Sequence, residues 1–230
     1  MQLECGAILF DLDGVLVDST RAVERVWRDW AGERELDADE ILQIAHGRRT
    51  AETIALVAPH LDAEAEALKL EQLEIGNMEG VREAEGARAL LSKLPEGSWT
   101  VVTSGARPLA TGRMDHLRLP LPGAFVTAED VSYGKPAPEA YLRGAGIVGV
   151  RPGDCVVIED APAGIQAATA AGMTAVAVAT THEPGELSGA STVANSLADI
   201  RISPVAGEDS LRDRYAARLI LQVNNPVESA

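Results

Sequence analysis

Long apolar runs are missing from this chain: nowhere do about eighteen or more uncharged apolar residues follow one another, so no membrane-spanning helix is expected. The opening MQLECGAILFDLDG reaches acidic residues too early for a secretory leader, and the expected compartment is the cytoplasm. Cysteine is scarce. Cys5 and Cys155 are the only two in 230 residues; each leads into an apolar run and reads as a core thiol with no redox role. Positive charge is also short, with 20 Lys and Arg against 35 Asp and Glu, a formal charge of −15. Such a surface repels nucleic acid and anionic lipid, so neither is expected as a partner. It repels phosphorylated substrates too, and phosphate chemistry would therefore need its own local cations.

What is present is 46% apolar residues, enough for one core with a modest insertion. Short apolar runs at Ala7–Phe10, Trp99–Thr103, Ala124–Thr127, Cys155–Ile158 and Thr174–Ala179 lack alternation, as strands buried on both faces do. A helical pattern at Gly86–Leu94 precedes the last four, and three more separate them: a helix opened by Pro108 with Ala110, Met114 and Leu117 on its stripe, one opened by Pro138, and Pro162–Ala171 stopping at Gly172. Alternating strands and helices predict an α/β fold, a Rossmann-like parallel sheet. From about Asp18 to Val81 only helical periodicity appears, with Val23, Val26, Trp27 and Trp30 on one face and Leu61, Ala65, Leu68 and Ile75 on another. An all-helical cap inserted there would lie over the carboxyl edge of the sheet, where such folds bind ligands. The expected division is a core of 1–17 and 82–205, a cap of 18–81 and a C-terminal extension of 206–230 that holds an apolar patch at Leu219–Val223.

Four chemically loaded sites fall at strand ends: Asp11 and Asp13 in ILFDLDGVLVDS, Ser104 in VVTSG, Lys135 in YGKPAPE, and Glu159 with Asp160 in VVIEDAPAG. Neighbouring parallel strands would open all four loops on one edge, and the carboxylates would converge. Four carboxylates within a few ångströms raise one another's pKa, and a hard divalent cation resolves the conflict. Oxygen-only ligands favour Mg²⁺. Lys135 supplies a point charge for a phosphoryl group; Ser104 and the amides after it, Gly105 first, supply donors. This chemistry suits phosphoryl transfer with Asp11 as nucleophile and Asp13 as proton donor and acceptor.

In that order these motifs resemble the four motifs of the haloacid dehalogenase superfamily. The resemblance implies a Rossmann-like core with a helical cap, as in β-phosphoglucomutase-like members, and Mg²⁺ held by Asp11, the Asp13 carbonyl and Asp160, with Glu159 at or beside the metal. AVERVW, AHGRRT, VVTSGARPLA and EDAPAGIQAA are similar to the sugar-phosphate and glycerol-phosphate phosphatases of that group. Val15 and Ala106 stand where relatives carry threonine.

Arg48 and Arg49 in the insertion are candidate substrate clamps, and His46 a candidate ligand for substrate hydroxyls. His60, His116 and His182 read as ordinary, and Trp27 and Trp30 as core. GAGIVG at Gly144–Gly149 matches a dinucleotide-binding fingerprint in letters alone, since it follows a helix and precedes a strand. The expected activity is hydrolysis of a small phosphomonoester of a sugar or polyol. The alternatives are a sugar-phosphate mutase of the β-phosphoglucomutase kind and a non-catalytic Mg²⁺-dependent metabolite-sensing module. The sequence leaves the oligomeric state open, with a monomer favoured.

Overall fold

The computed structural model describes residues 1–205 and 218–224. In chain order the elements are β1 (Gln2–Cys5), β2 (Ala7–Phe10), β3 (Val17–Asp18), α1 (Thr20–Gly32), α2 (Ala38–Ala45), α3 (Thr50–Val57), α4 (Ala63–Gly76) and β4 (Arg82–Glu83). There follow α5 (Ala87–Leu91), β5 (Trp99–Val101), α6 (Arg107–Leu117), α7 (Glu139–Val148), β6 (Cys155–Glu159), α8 (Pro162–Ala170), β7 (Thr174–Val178), β8 (Thr192–Ala194), β9 (Ile200–Pro204) and β10 (Leu219–Val223).

A five-stranded sheet of order β5-β2-β6-β7-β8 is parallel throughout. Its strands read as unbroken apolar runs because each face has its own core. Ile8, Phe10, Val156, Ile158, Val176 and Val178 pack on one side. Ala7, Leu9, Cys155, Val157, Ala175 and Ala177 pack on the other. Cys5 and Cys155 are both buried and free, and burial pushes the Cys5 thiol up to about 12, which keeps it protonated and unreactive. GAGIVG is the end of α7, closed by Gly149 in the left-handed conformation, with no strand-to-helix turn to bind a pyrophosphate.

One expectation about strands needs correction, and one segment left open is settled. Ala124–Thr127 makes only a single bridge, Val102 to Val126, because the Thr127 amide and hydroxyl both donate to Asp130 Oδ2 (2.8 and 2.9 Å) and bend the chain into a helical turn. Leu219–Val223 is a true strand, the middle of an antiparallel sheet of order β1-β10-β9. Most of the expected C-terminal extension lies outside the described residues.

Between β3 and β4 the described chain is helical. Those two short strands pair antiparallel, Val17 with Glu83 and Asp18 with Arg82, so the insertion leaves and re-enters the core through one narrow neck. Its own core joins Val26, Trp27, Trp30, Ile41, Ile54 and Leu70, with Trp27 and Trp30 edge to face at 5.5 Å. The face expected of α4 is wrong. Leu68 is 55% and Ile75 39% exposed, whereas Glu66 and Glu74 are buried. Each buried acid has cationic or N–H partners: Glu66 accepts from Trp30 Nε1 (2.8 Å) and Arg34, and Glu74 accepts from Arg113. Paired charge thus decides which stripe of α4 turns inward. Among the described residues no helix is long and apolar enough to cross a membrane.

Candidate active site

The carboxyl ends of β2, β5 and β6 are adjacent, and the loops that follow them meet at one cleft beneath the helical insertion. Asp11, Asp13, Ser104, Gly105 and Asp160 all line it. At the base is Lys135, 1% exposed. Its Nζ donates to Asp11 Oδ1 at 2.7 Å, to Glu159 Oε1 at 2.6 Å and to the Val102 carbonyl at 3.3 Å. Those three bonds use all three ammonium protons, so Lys135 acts on a ligand as a charge held behind Asp11. Burial alone would lower its pKa; the Asp11 and Glu159 carboxylates hold it above the usual lysine value.

Glu159 was expected at or beside a metal, and its ligand oxygen does lie within 4.8 Å of those of Asp11 and Asp160. Its lone pairs, however, are engaged. Oε1 accepts from Lys135 and from the Tyr141 hydroxyl (2.5 Å); Oε2 accepts from the amides of Asp160 (3.1 Å) and Ala161 (3.3 Å). Glu159 therefore orients Lys135 and the loop that carries Asp160. A β-carbon on Gly164 in α8 would overlap the Glu159 carboxylate. Gly164→Ala is accordingly expected to lower unfolding free energy by about 1–3 kcal/mol in urea denaturation.

Asp160 is buried with one oxygen satisfied and one not. Thr181 donates its hydroxyl to Oδ2, while Oδ1 has no hydrogen-bond partner. Asp11 likewise has Oδ1 on Lys135, and Oδ2 has no partner among the described residues. Burial, opposed by Lys135 and reinforced by Glu159, pushes the Asp11 carboxyl up to about 7. Burial and the neighbouring Glu159 and Asp11 carboxylates push Asp160 well above the usual range. An orphaned buried carboxylate oxygen beside a second raised carboxyl, with oxygen donors alone, fits a hard divalent cation.

Asp13 differs from its neighbours. Its Oδ1 accepts from Ser19 Oγ (2.7 Å) and from Arg113 (2.6 Å), which leaves Oδ2 without a partner among the described residues. Arg113 is 3% exposed, although it is a cation on the buried stripe of α6 with Leu109, Ala110 and Met114. Its other terminal nitrogen donates to Glu74 of α4. Sequence reasoning missed both residues. The available signal was an arginine four positions from Leu109, on a face otherwise apolar.

Links between the insertion and the core include three around the cleft: Ser104 Oγ donates to the Gly47 carbonyl (2.9 Å), the Gly134 amide donates to Glu52 (3.0 Å), and Arg113 reaches Glu74. Gly47, at φ 75°, is where the chain must pass against Ala161; a β-carbon there would stand 2.8 Å from the Ala161 side chain. Of the expected clamps, His46 and Arg48 line the cleft and Arg49 does not. Arg49 pairs with Glu52 at 3.5 Å and packs beside Gly134, outside. His46 bonds the Leu42 carbonyl through Nδ1 (2.8 Å), and its Nε2 has no partner. His182, read as ordinary, lies behind two residues of the cleft without lining it: its Nδ1 is 3.1 Å from the Asp160 carbonyl, and its ring meets that of His46 edge to face at 5.9 Å. Burial lowers its pKa, helped by the neighbouring His46. Val15 is fully buried in the core, and Ala106 is the residue before α6; neither lines the cleft.

The cleft encloses about 80 Å³, room for a few waters or a small organic group. A family model for haloacid dehalogenase-like hydrolases matches residues 5–172. Hexitol phosphatase A of Escherichia coli K12 is 42% identical over 206 residues, covering 87% of this chain and 95% of its own. Glycerol-1-phosphate phosphohydrolase 2 of Saccharomyces cerevisiae is 38% identical over 195 residues, 80% of this chain and 78% of its own. Among solved structures, a hydrolase from Pseudomonas syringae superposes with a TM-score of 0.76 at 28% identity, covering 85% of this chain and 95% of that one.

Proposed function

The chain belongs to the haloacid dehalogenase-like hydrolase family, and we propose that within it this protein is a Mg²⁺-dependent phosphatase of small sugar or polyol phosphates that works through an aspartyl phosphate on Asp11. The observation that carries this reading is the asymmetry of Asp11: one oxygen is fixed by Lys135, while the other faces the cleft without a partner. That is the arrangement a nucleophile needs. The names and coverage of the two phosphatase relatives support the substrate class.

Asp11 Oδ2 attacks phosphorus as the ester P–O bond breaks. Asp13, held through Oδ1 by Ser19 and Arg113, gives the departing alkoxide a proton from its free Oδ2. The same oxygen then takes a proton from the water that attacks the phosphorus. The P–O bond to Asp11 breaks and inorganic phosphate leaves. Ser104 and Gly105 face the phosphoryl oxygens, and Lys135 and Arg48 supply the positive charge that the acidic surface lacks. Asp11 and Asp160, with the Asp13 carbonyl, would hold the cation, which supplies charge neutralisation at the phosphoryl group. The helices of 18–81 act as the cap, closing over the substrate through Gly47, Glu52 and Glu74 and excluding bulk water.

A panel of phosphomonoesters assayed with Mg²⁺ tests this. Free phosphate is expected from hexitol, hexose and glycerol phosphates. Chelation should cut turnover by about a hundredfold or more, and added Mg²⁺ should restore it. An isomeric sugar phosphate with none released would instead identify a mutase, and no turnover of any member would contradict enzymatic function.

A further inference from the structure

Arg113 and Glu74 form a buried ion pair that phosphoryl transfer does not account for. Both line the cleft, yet they are only 3% and 6% exposed. The pair stands on the leaving-group side, because Arg113 is bonded to Asp13, the residue that faces the departing oxygen. Each partner retains unused hydrogen-bonding capacity. Arg113 spends one proton of each terminal nitrogen, on Asp13 and on Glu74, and keeps a second on each, while Glu74 Oε1 has no donor among the described residues. An acceptor and a donor held side by side in a closed cleft are costly until a ligand group arrives.

We propose that Glu74 and Arg113 together form the subsite that recognises the hydroxyl groups of the leaving alcohol, selecting polyhydroxy alcohols over plain alkyl ones. A hydroxyl donates and accepts at once, so adjacent hydroxyls of a polyol satisfy the carboxylate and the guanidinium together. An alkyl chain satisfies neither and leaves both desolvated, the situation in which discrimination against a substrate lacking the hydroxyl is large. The subsite is also split between two parts of the fold, Glu74 on α4 of the insertion and Arg113 on α6 of the core. It is complete only when the insertion rests on the core, so recognition of the alcohol and closure coincide. This inference rests on the phosphatase reading of the same cleft.

The test compares kcat/KM for sorbitol 6-phosphate and n-hexyl phosphate in wild type, Glu74→Gln and Glu74→Leu. Both substrates release an alkoxide that needs the Asp13 proton, so any disturbance of Asp13 through Arg113 falls on both and cancels in the ratio. The wild type is expected to prefer the hexitol phosphate. Glu74→Leu should reduce that preference at least about tenfold, with the KM for the hexitol phosphate rising more than kcat falls. Glu74→Gln keeps the shape and one acceptor and should reduce it about threefold, which preserves the test if the leucine variant does not fold. An unchanged preference in the glutamine variant, or a wild type with no preference, overturns the subsite alone. A wild type that releases phosphate from neither substrate overturns the phosphatase reading and this inference with it.

Discussion

Asp11→Asn is expected to lower phosphate release from every phosphomonoester by about 10⁴-fold or more, with KM little altered and the fold intact. The size follows from the role: a missing nucleophile removes the covalent route itself, whereas a weakened contact only slows it. Retention of the fold follows from local geometry. Asparagine keeps the shape of aspartate, and its carbonyl oxygen still accepts from Lys135, as Asp11 Oδ1 does at 2.7 Å. It also relieves a charge that burial disfavours, since the Asp11 carboxyl sits near 7 without a cation. Steady-state assays alongside thermal melting check both halves. A variant with normal turnover would show that the attacking group lies elsewhere, whereas a variant that melts far below wild type would leave the loss of rate without a chemical meaning.

Lys135→Met should have the second largest effect, and on stability as well as rate. Methionine fills a similar volume but removes the ammonium that bridges Asp11 and Glu159. Breaking a buried pair from one side costs about 3–5 kcal/mol, because the remaining charges have no compensation. The pH dependence gives the cause away. In wild type the lysine pKa is raised on folding, so its contribution is fully present below the unfolded lysine value and is lost only as pH rises through the folded one. In the variant the carboxylates lose their partner and the Asp11 pKa rises further above its unfolded value. The folded state then binds more protons than the unfolded state from about pH 4 upward, so variant stability falls as pH rises. With metal chelated, the gap between wild type and variant should therefore be wide at pH 8 and narrower at pH 5. Urea denaturation at the two pH values measures it; a gap that does not change with pH would mean that Lys135 is stabilising by packing alone.

The parallel sheet was legible because strands buried on both faces are apolar throughout, and the short runs at Ala7–Phe10 and Cys155–Ile158, bounded by turn residues, suit that pattern. The nearness of Asp11, Ser104 and Asp160 followed from strand adjacency. What escaped the sequence depended on partners far away along the chain. Helix α4 offers two stripes, and the less apolar one turns inward because Glu66 meets Trp30 and Arg34 while Glu74 meets Arg113. No local pattern contains those meetings. Arg49 and Arg48 are adjacent and chemically alike, and only the turn before α3, where Arg49 falls to Glu52, separates the one in the cleft from the one outside. His182 escaped for a similar reason, being near Asp160 only through the loop after β7. The acidic pair at the end of β6 placed Glu159 at or beside the metal, and it does lie beside the ligand oxygens of Asp11 and Asp160; that its own oxygens are also engaged by Lys135, Tyr141 and two amides depends on partners remote in sequence.

The most direct test is to mix the enzyme with excess phosphomonoester and Mg²⁺, quench in acid within milliseconds, digest the protein and locate phosphate by mass spectrometry. A phosphorylated peptide carrying Asp11 in the wild type, absent from Asp11→Asn, is the predicted result. Phosphate on another residue, or rapid turnover with no labelled peptide at any quench time, would contradict the covalent mechanism.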